Sequence, residues 1–260
     1  MTKFKRSACV MLYVILFVNC TNGQQDSIVV RDFETWSSFS IRSEFLEDKL
    51  ELKVSQDLRF NENSTAMGLL FTEVGASYEV IKNLKLGGAY RYIYEKDEKT
   101  GANQWRAQAD IGYSNKLNRF NLSYRLRYQY RNYFKNSAGE GDYATSKFRI
   151  ACKVEYNIKS WKLDPYCKAE VFHASTTEDA IQYLPEVETG TIDLSGLEKV
   201  RMTLGTSFKP FKKAKIGLYY RIERGFNTFP TYLGTSTFNP ETIYILGVNF
   251  SYKLNLTGDE

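Results

Sequence analysis

The sequence predicts an all-β protein, a single up-and-down antiparallel transmembrane β-barrel. Apolar and polar residues alternate with a period of two over segments of about 10 to 14 residues, which is the spacing of β-strands. No segment of comparable length has helical spacing. The connections between segments alternate between short and long, as in barrels that have tight turns at one rim.

Residues 119–131 show the clearest alternation. Tyr124 and Leu126 fall on one face of the predicted strand, whereas Arg125 and Arg127 fall on the other. The same pattern recurs at residues 105–113, 148–158 and 244–254. Each of these segments therefore has one apolar face and one polar face.

About eleven such segments lie between Trp36 and Leu256 with no linker among them, which predicts one domain over residues 24–260. Bacterial single-chain barrels have an even number of strands, so residues 27–31 are expected to add a short strand and give 12. A barrel of 10 strands is the alternative. Short turns are expected near Asp48-Lys49, Lys82-Asn83, Lys116-Leu117, Lys159-Ser160 and Lys212-Lys213, and long loops at 61–66, 96–102, 136–144, 175–195 and 227–239.

The size of the barrel predicts which face meets water. A soluble barrel of this many strands would enclose an apolar hole that its own side chains could not fill. Placing the apolar, tyrosine-rich face against lipid and the charged face in the interior removes that problem. Short turns are then periplasmic and long loops extracellular.

The N-terminus predicts export. Three basic residues among the first six precede an apolar stretch from Ala8 to Val18, and small polar residues follow up to Gly23. This is the pattern of a signal peptide over residues 1–23, with lipoprotein processing at Cys20 as the alternative. The basic residues of this segment carry three of the five net positive charges, which leaves +2 on the rest. So small a charge does not indicate a nucleic-acid partner.

Several stretches carry a resemblance to a known family. They are Trp36 with the following hairpin into 58–61, the runs 87–92 and 119–131, and the segments 169–172 and 245–248. In these stretches the chain resembles a family of Gram-negative outer-membrane barrels, the domain of unknown function 2490. The resemblance implies a β-barrel fold and an outer-membrane location, and it transfers no functional residue.

The inward face of the predicted barrel is rich in basic residues. An unpaired basic wall would concentrate small anionic solutes, whereas a paired one would fill the interior. Facing positions around the turn at Lys82 place Glu79 opposite Lys85 and Glu73 opposite Arg91, which favours pairing. The predicted basic wall is Arg91, Arg106, Arg125, Arg127, Arg131, Arg149, Lys153, Lys168, Arg201 and Arg221.

Two cysteines of the predicted barrel are a candidate disulfide. If Lys159-Ser160 forms a two-residue turn, Cys152 directly faces Cys167, and the same register places Arg149 opposite Glu170. An exported protein can form disulfides, and facing cysteines can come within bridging distance. Two free thiols on the outer face are the alternative.

His173 and Ser175 lie two residues apart and share the outward face. This spacing resembles the arrangement of outer-membrane phospholipase A, in which a neighbouring histidine activates a lipid-facing serine. No third, orienting group stands at the expected facing positions, Ser146 and Glu198, so the hydrolase is only an alternative function. The sequence contains no metal-ligand cluster, glycine-rich phosphate loop or CxxC pair, and no cofactor is predicted.

The longest predicted loop is acidic. It contains Glu178, Asp179, Glu186, Glu188 and Asp193 and no basic residue between Thr176 and Ser195. Opposite charges attract strongly in a confined lumen, so this segment is a candidate plug of the barrel mouth, with Arg131 and Arg149 as expected contacts.

Together these features predict a non-enzymatic outer-membrane barrel with a basic lumen. It would be either a small passive channel or a barrel plugged by its own loop. Expected partners are outer-membrane lipid and small anionic solutes. A protein that binds a surface partner through its long loops is a further alternative, beside the hydrolase.

Overall fold

A computed structural model describes residues 31–96, 102–134, 144–158, 163–179, 191–226 and 242–255. These residues form one closed β-barrel of eleven strands. The strands are β1 (Arg31–Phe45), β2 (Leu50–Asn61), β3 (Ala66–Ile81), β4 (Leu84–Glu95), β5 (Ala102–Leu117), β6 (Phe120–Tyr133), β7 (Thr145–Tyr156), β8 (Asp164–Asp179), β9 (Thr191–Phe211), β10 (Ala214–Gly225) and β11 (Thr242–Lys253).

Within the described ranges, no helix has the length and apolar character needed to cross a membrane. The predicted signal peptide, residues 1–23, and its alternative site Cys20 lie outside these ranges.

The barrel closes through one parallel pair of strands. Each strand from β2 to β11 is antiparallel to the one before it, whereas β1 pairs with β11 in parallel from Arg31 opposite Thr242 to Arg42 opposite Lys253. The part of the chain that the structure describes thus has eleven strands in place of the expected 12 or 10, and the sheet is mixed, not purely antiparallel. The even-number rule assumes antiparallel closure. With an odd number, the first and last strands run in the same direction and must pair in parallel.

Short turns occur at both rims. The predicted two-residue turns at Lys82-Asn83 and Lys212-Lys213 are confirmed, because Ile81 pairs with Leu84 and Phe211 with Ala214. The turn between β5 and β6 lies at Asn118-Arg119, two residues beyond the expected position. Asn83 and Asn118 have φ of 73° and 56°, and asparagine tolerates this left-handed conformation better than most residues.

The connection between β2 and β3, expected to be a long loop at 61–66, is a tight turn at residues 62–65. The carboxylate of Asp32 accepts the backbone N–H of Asn63 at 2.7 Å and that of Glu62 at 3.2 Å. These bonds satisfy turn amides that an open loop would expose to water. We call the rim that carries the β4–β5, β6–β7, β8–β9 and β10–β11 connections the long-loop rim, and the opposite one the short-turn rim.

The register between β7 and β8 differs from the expected one by two residues. Cys152 pairs with Ala169, Cys167 pairs with Val154, and both thiols are free, so the predicted disulfide is corrected. A shift of two keeps every side chain on its original face, which is why the alternation could not exclude the wrong register. Arg149 still reaches Glu170 from the neighbouring position, with its Nε 2.8 Å from Oε1.

The alternation of faces is confirmed. Leu126 is 44% exposed on the outer surface, between the exposed Tyr124 and Tyr128. The neighbouring Arg127 points inward, where its side chain binds Asp110 of β5. The barrel thus has an apolar exterior and a charged interior, which is the inverse of a soluble barrel.

A small aromatic cluster lies beside the closing pair of strands. Trp36 of β1, Tyr219 of β10 and Ile245 of β11 are buried together inside the barrel. Gly247 of β11 lies between Trp36 and Tyr219 in the sheet, and a Cβ added there would lie 2.0 Å from Tyr219 Cζ. The Tyr219 ring therefore occupies the space above this glycine.

We predict that Gly247→Ala displaces Tyr219 and destabilises the barrel. Overpacking of this kind costs about 1 to 3 kcal/mol. Gly217→Ala is the matched control, because it lies on the adjacent strand and a Cβ there has no heavy atom nearer than 3.8 Å. The measurement is the urea midpoint of each refolded protein. Equal midpoints for the two variants would show that the space above Gly247 is not needed for the packing of the Tyr219 ring.

Candidate functional site

The interior of the barrel is the candidate functional site. One cavity of about 340 Å³ is lined by side chains from all eleven strands, so it lies within the lumen. A second, of about 450 Å³, lies nearer the short-turn rim. Arg125, Arg221 and Asn249 line both cavities and stand between them. The lumen is thus divided by side chains.

The ten residues of the predicted basic wall all line these two cavities. Lys153 and Lys168 line the cavity of about 450 Å³ near the short-turn rim. The eight arginines of the wall line the cavity of about 340 Å³, which lies toward the long-loop rim. The two-residue alternation brought them to one face, and closure of the sheet brought them together across the lumen. These eight arginines are Arg91, Arg106, Arg125, Arg127, Arg131, Arg149, Arg201 and Arg221.

Glu170 of β8 is the centre of the largest charge cluster. Its side chain is fully buried, and four cations from β6 to β9 surround it. Arg149 Nε lies 2.8 Å and Lys168 Nζ 2.7 Å from its Oε1, Arg125 Nη2 lies 3.7 Å from the same oxygen, and Arg201 Nη1 lies 3.4 Å from Oε2. One carboxylate therefore holds together four strands through their charged side chains.

Further acids pair with the other members of the wall except Arg221, which donates to the Thr203 hydroxyl. Arg91 lies 2.7 Å from Glu73 and 3.3 Å from Asp57, and Arg106 reaches Glu73 at 3.6 Å. Glu223 binds both Lys199 and Arg201. Arg127 is paired with Asp110, Arg131 with Glu95 and Lys153 with Glu155. The contacts agree with the paired interpretation of the wall.

Inward aromatic side chains separate the charged groups. The guanidinium carbon of Arg59 lies 3.6 Å from the centre of the Trp36 ring, and Arg149 and Arg201 lie 4.9 and 4.7 Å from that of Phe172. Cations are attracted to the faces of such rings. The sequence analysis did not predict these contacts or place Arg59 in the wall. It assigned only polar and charged residues to the inward face, and so it left the inward aromatic residues out. Trp36 shares its parity with Arg42, as Phe172 does with Glu170, so parity alone would have placed both aromatics inside.

The candidate hydrolase pair lies on the outer face of β8. On the neighbouring strands, Ser175 faces Ser146 and Ser195, and His173 faces Phe148 and Leu197. None of these four facing residues carries a carboxylate. Ser146 stands where it was expected. Glu198 does not, because a β-bulge in β9 turns its side chain inward to Lys147, 2.5 Å away. Among the residues that the structure describes, no acid is placed to orient His173 as in a catalytic triad.

The predicted acidic plug lies partly in extended strands. Glu178 and Asp179 belong to β8 and Asp193 to β9, and their backbones pair as far as Asp179 opposite Thr191. Glu186 and Glu188 lie outside the described residues. The two arginines that were expected to contact this segment bind other residues of the barrel strands. Arg131 binds Gln104 and Glu95, and Arg149 binds Glu170.

Fold and interior together define a closed β-barrel with an ion-paired lumen. The family model described as "Protein of unknown function (DUF2490)" matches residues 33–232, from β1 past β10, and the chain belongs to this family. A search of curated proteins found no significant match.

We predict that Glu170→Gln strongly destabilises the barrel. Removing one member of a buried ion pair costs about 3 to 5 kcal/mol, and here four cations lose their shared partner. Glu155→Gln is the matched control, because Glu155 pairs with one partly exposed lysine, and such a pair contributes under about 1 kcal/mol. Urea unfolding of the refolded proteins measures both. Similar losses for the two variants would mean that Glu170 has no special role.

Proposed function

We propose that this chain is a non-enzymatic outer-membrane β-barrel of a Gram-negative bacterium, with a lumen closed by its own paired side chains. The export signal predicted over residues 1–23 would deliver it to that membrane. The single observation that carries the proposal is the inverted barrel: a continuous sheet with apolar side chains outside and ion pairs inside.

The outer surface supports the membrane location. Many large apolar and tyrosine side chains are exposed there, including Ile150, Leu204, Val74, Tyr90 and Tyr124. Soluble monomers rarely expose a contiguous apolar surface of more than a few hundred Å². Strands of 12 residues or more exceed the length of about 9 to 11 residues that a tilted strand needs to cross a bilayer.

The interior supports a closed lumen over an open channel. Arg125 and Arg221 separate the two cavities, and Glu170 holds Arg125 in place from the wall. Arg125 resists displacement, because a desolvated charge that leaves its partner does not regain water. Arg221 is held by the Thr203 hydroxyl and by the rings of Trp36 and Tyr219. The side chains that the structure describes thus divide the lumen, which favours the closed barrel over the passive channel.

The membrane location predicts a dependence on depth. We expect Leu126→Arg, in the middle of β6, to cost about 2 to 4 kcal/mol, because a charge at the bilayer midplane is poorly solvated. Leu117→Arg is the control. Leu117 is also an exposed outer residue, but it ends β5 at the short-turn rim, where the cost is about 0 to 1 kcal/mol. Heat-modifiability and folding yield in lipid vesicles report the difference. Two equally well-folded variants would contradict a membrane-spanning outer face.

The closed lumen predicts a low conductance. We expect refolded protein in a planar bilayer to show no stepwise ion conductance, and the double variant Arg125→Ala with Arg221→Ala to show one. The double variant removes the two long side chains that stand between the cavities. Stepwise conductance by the parent protein would instead establish the passive channel.

A further inference from the structure

The cavity of about 340 Å³ has a strong excess of positive charge. Twelve lysine and arginine residues line it, against three acids, Asp57, Glu73 and Glu198. Other acids of the interior, such as Glu170 and Glu223, do not line the cavity but pair with cations that do. The remaining charge is concentrated in an enclosed space, where attraction for an anion is screened little by water.

Two guanidinium groups of this cavity lack an acidic partner. Among the described residues, no carboxylate oxygen lies within 4.0 Å of a nitrogen of Arg59 or Arg221. Arg221 donates from Nε to the Thr203 hydroxyl at 3.0 Å, and its guanidinium carbon lies 4.6 Å from the centre of the Tyr219 ring. Arg59 contacts the rings of Trp36 and Phe71. The seven arginines of the basic wall other than Arg221 are each paired with at least one carboxylate.

Trp36 joins these two arginines. The guanidinium carbons of Arg59 and Arg221 lie 3.6 and 4.9 Å from the centre of its ring. The indole is itself held in place, because its Nε1 donates to Glu34 Oε2 at 2.5 Å and its ring is buried against Tyr219 and Ile245. The two cations without a carboxylate partner thus lie against the same buried indole ring, and all three side chains line the cavity.

We propose that this cavity binds a small polyvalent oxyanion, with Arg59 and Arg221 as its ligands and Trp36 as their support. Arginine presents a planar fork of N–H donors that matches carboxylate and phosphate groups, and two such forks suit an anion with two charged groups. A volume of about 340 Å³ is at the lower end for ligand pockets, which suits a small solute. The closed sheet excludes lipid chains from the side, so the ligand is a free solute and not a lipid headgroup.

The site requires only the closed barrel and stands apart from the proposed membrane location and conductance. Trp36 provides a direct readout in a background that carries Trp105→Phe and Trp161→Phe, since the sequence has three tryptophans. The probes are inorganic pyrophosphate and citrate, added to purified protein in detergent at low ionic strength. We expect both to change Trp36 fluorescence with saturation at one ligand per protein, and calorimetry to give the same stoichiometry.

Arg59→Gln and Arg221→Gln should each weaken binding by about tenfold to a hundredfold, because each removes a charge-assisted pair of hydrogen bonds. Arg42→Gln is the matched control: Arg42 is also an arginine of the interior and loses the same charge, but it does not line this cavity and has Glu51 at 3.8 Å. We expect its affinity to equal that of the parent. Unchanged thermal unfolding of each variant confirms that the barrel is intact.

Three results would overturn the proposal. The first is the absence of saturable binding by the parent at low ionic strength. The second is equal weakening by Arg42→Gln and Arg59→Gln, which would reduce the effect to net charge. The third is binding only after deletion of residues 180–190, which would assign the cavity to the acidic segment of the chain itself.

Discussion

Closure of the sheet by the parallel pair β1–β11 is the constraint on which the rest of the structure depends. Once the last strand pairs with the first, each of the eleven described strands has two neighbours, and none of them is an edge strand. Closure also divides the side chains into an outer and an inner set, because successive residues of a strand point to opposite faces. The composition of the interior then follows from the alternation along each strand.

An interior of this composition must solve an electrostatic problem. Cations from many strands converge on a narrow space, and isolated charges there would be poorly solvated. Buried carboxylates reduce that cost, with Glu170 shared by four cations and Glu73 by two arginines. Such clusters add little net stability compared with an apolar core, but breaking one is expensive, so they favour a single arrangement of the strands.

Aromatic rings and glycines pack against each other inside the lumen. The ring of Tyr219 lies over Gly247, and that of Tyr166 lies close to Gly205, where an added Cβ would come within 2.6 Å. Each glycine leaves room for a ring that a larger residue would displace. Beside the first of these pairs lies Trp36, which both packs at the closing strands and supports Arg59. The strands that close the barrel and the proposed anion site therefore share Trp36.

The sequence by itself determined the strands and their faces. The period of two placed Arg125 and Arg127 inside and Leu126 outside, because alternation is a local property that any register preserves. For the same reason it could not determine the register. Cys152 was expected to face Cys167 and instead faces Ala169, and both arrangements keep each residue on its own face.

Tertiary structure alone decided how the strands were joined and which charges met. The number of strands and the parallel closure depend on contacts between residues more than 200 positions apart, such as Trp36 opposite Gly247, which no local pattern records. The convergence of Arg125, Lys168 and Arg201 on Glu170 likewise required the curvature of the closed sheet. Among the described residues, Arg59 and Arg221 have no carboxylate partner for the same reason: a side chain's partners across a lumen depend on which strands face each other, and only closure determines that.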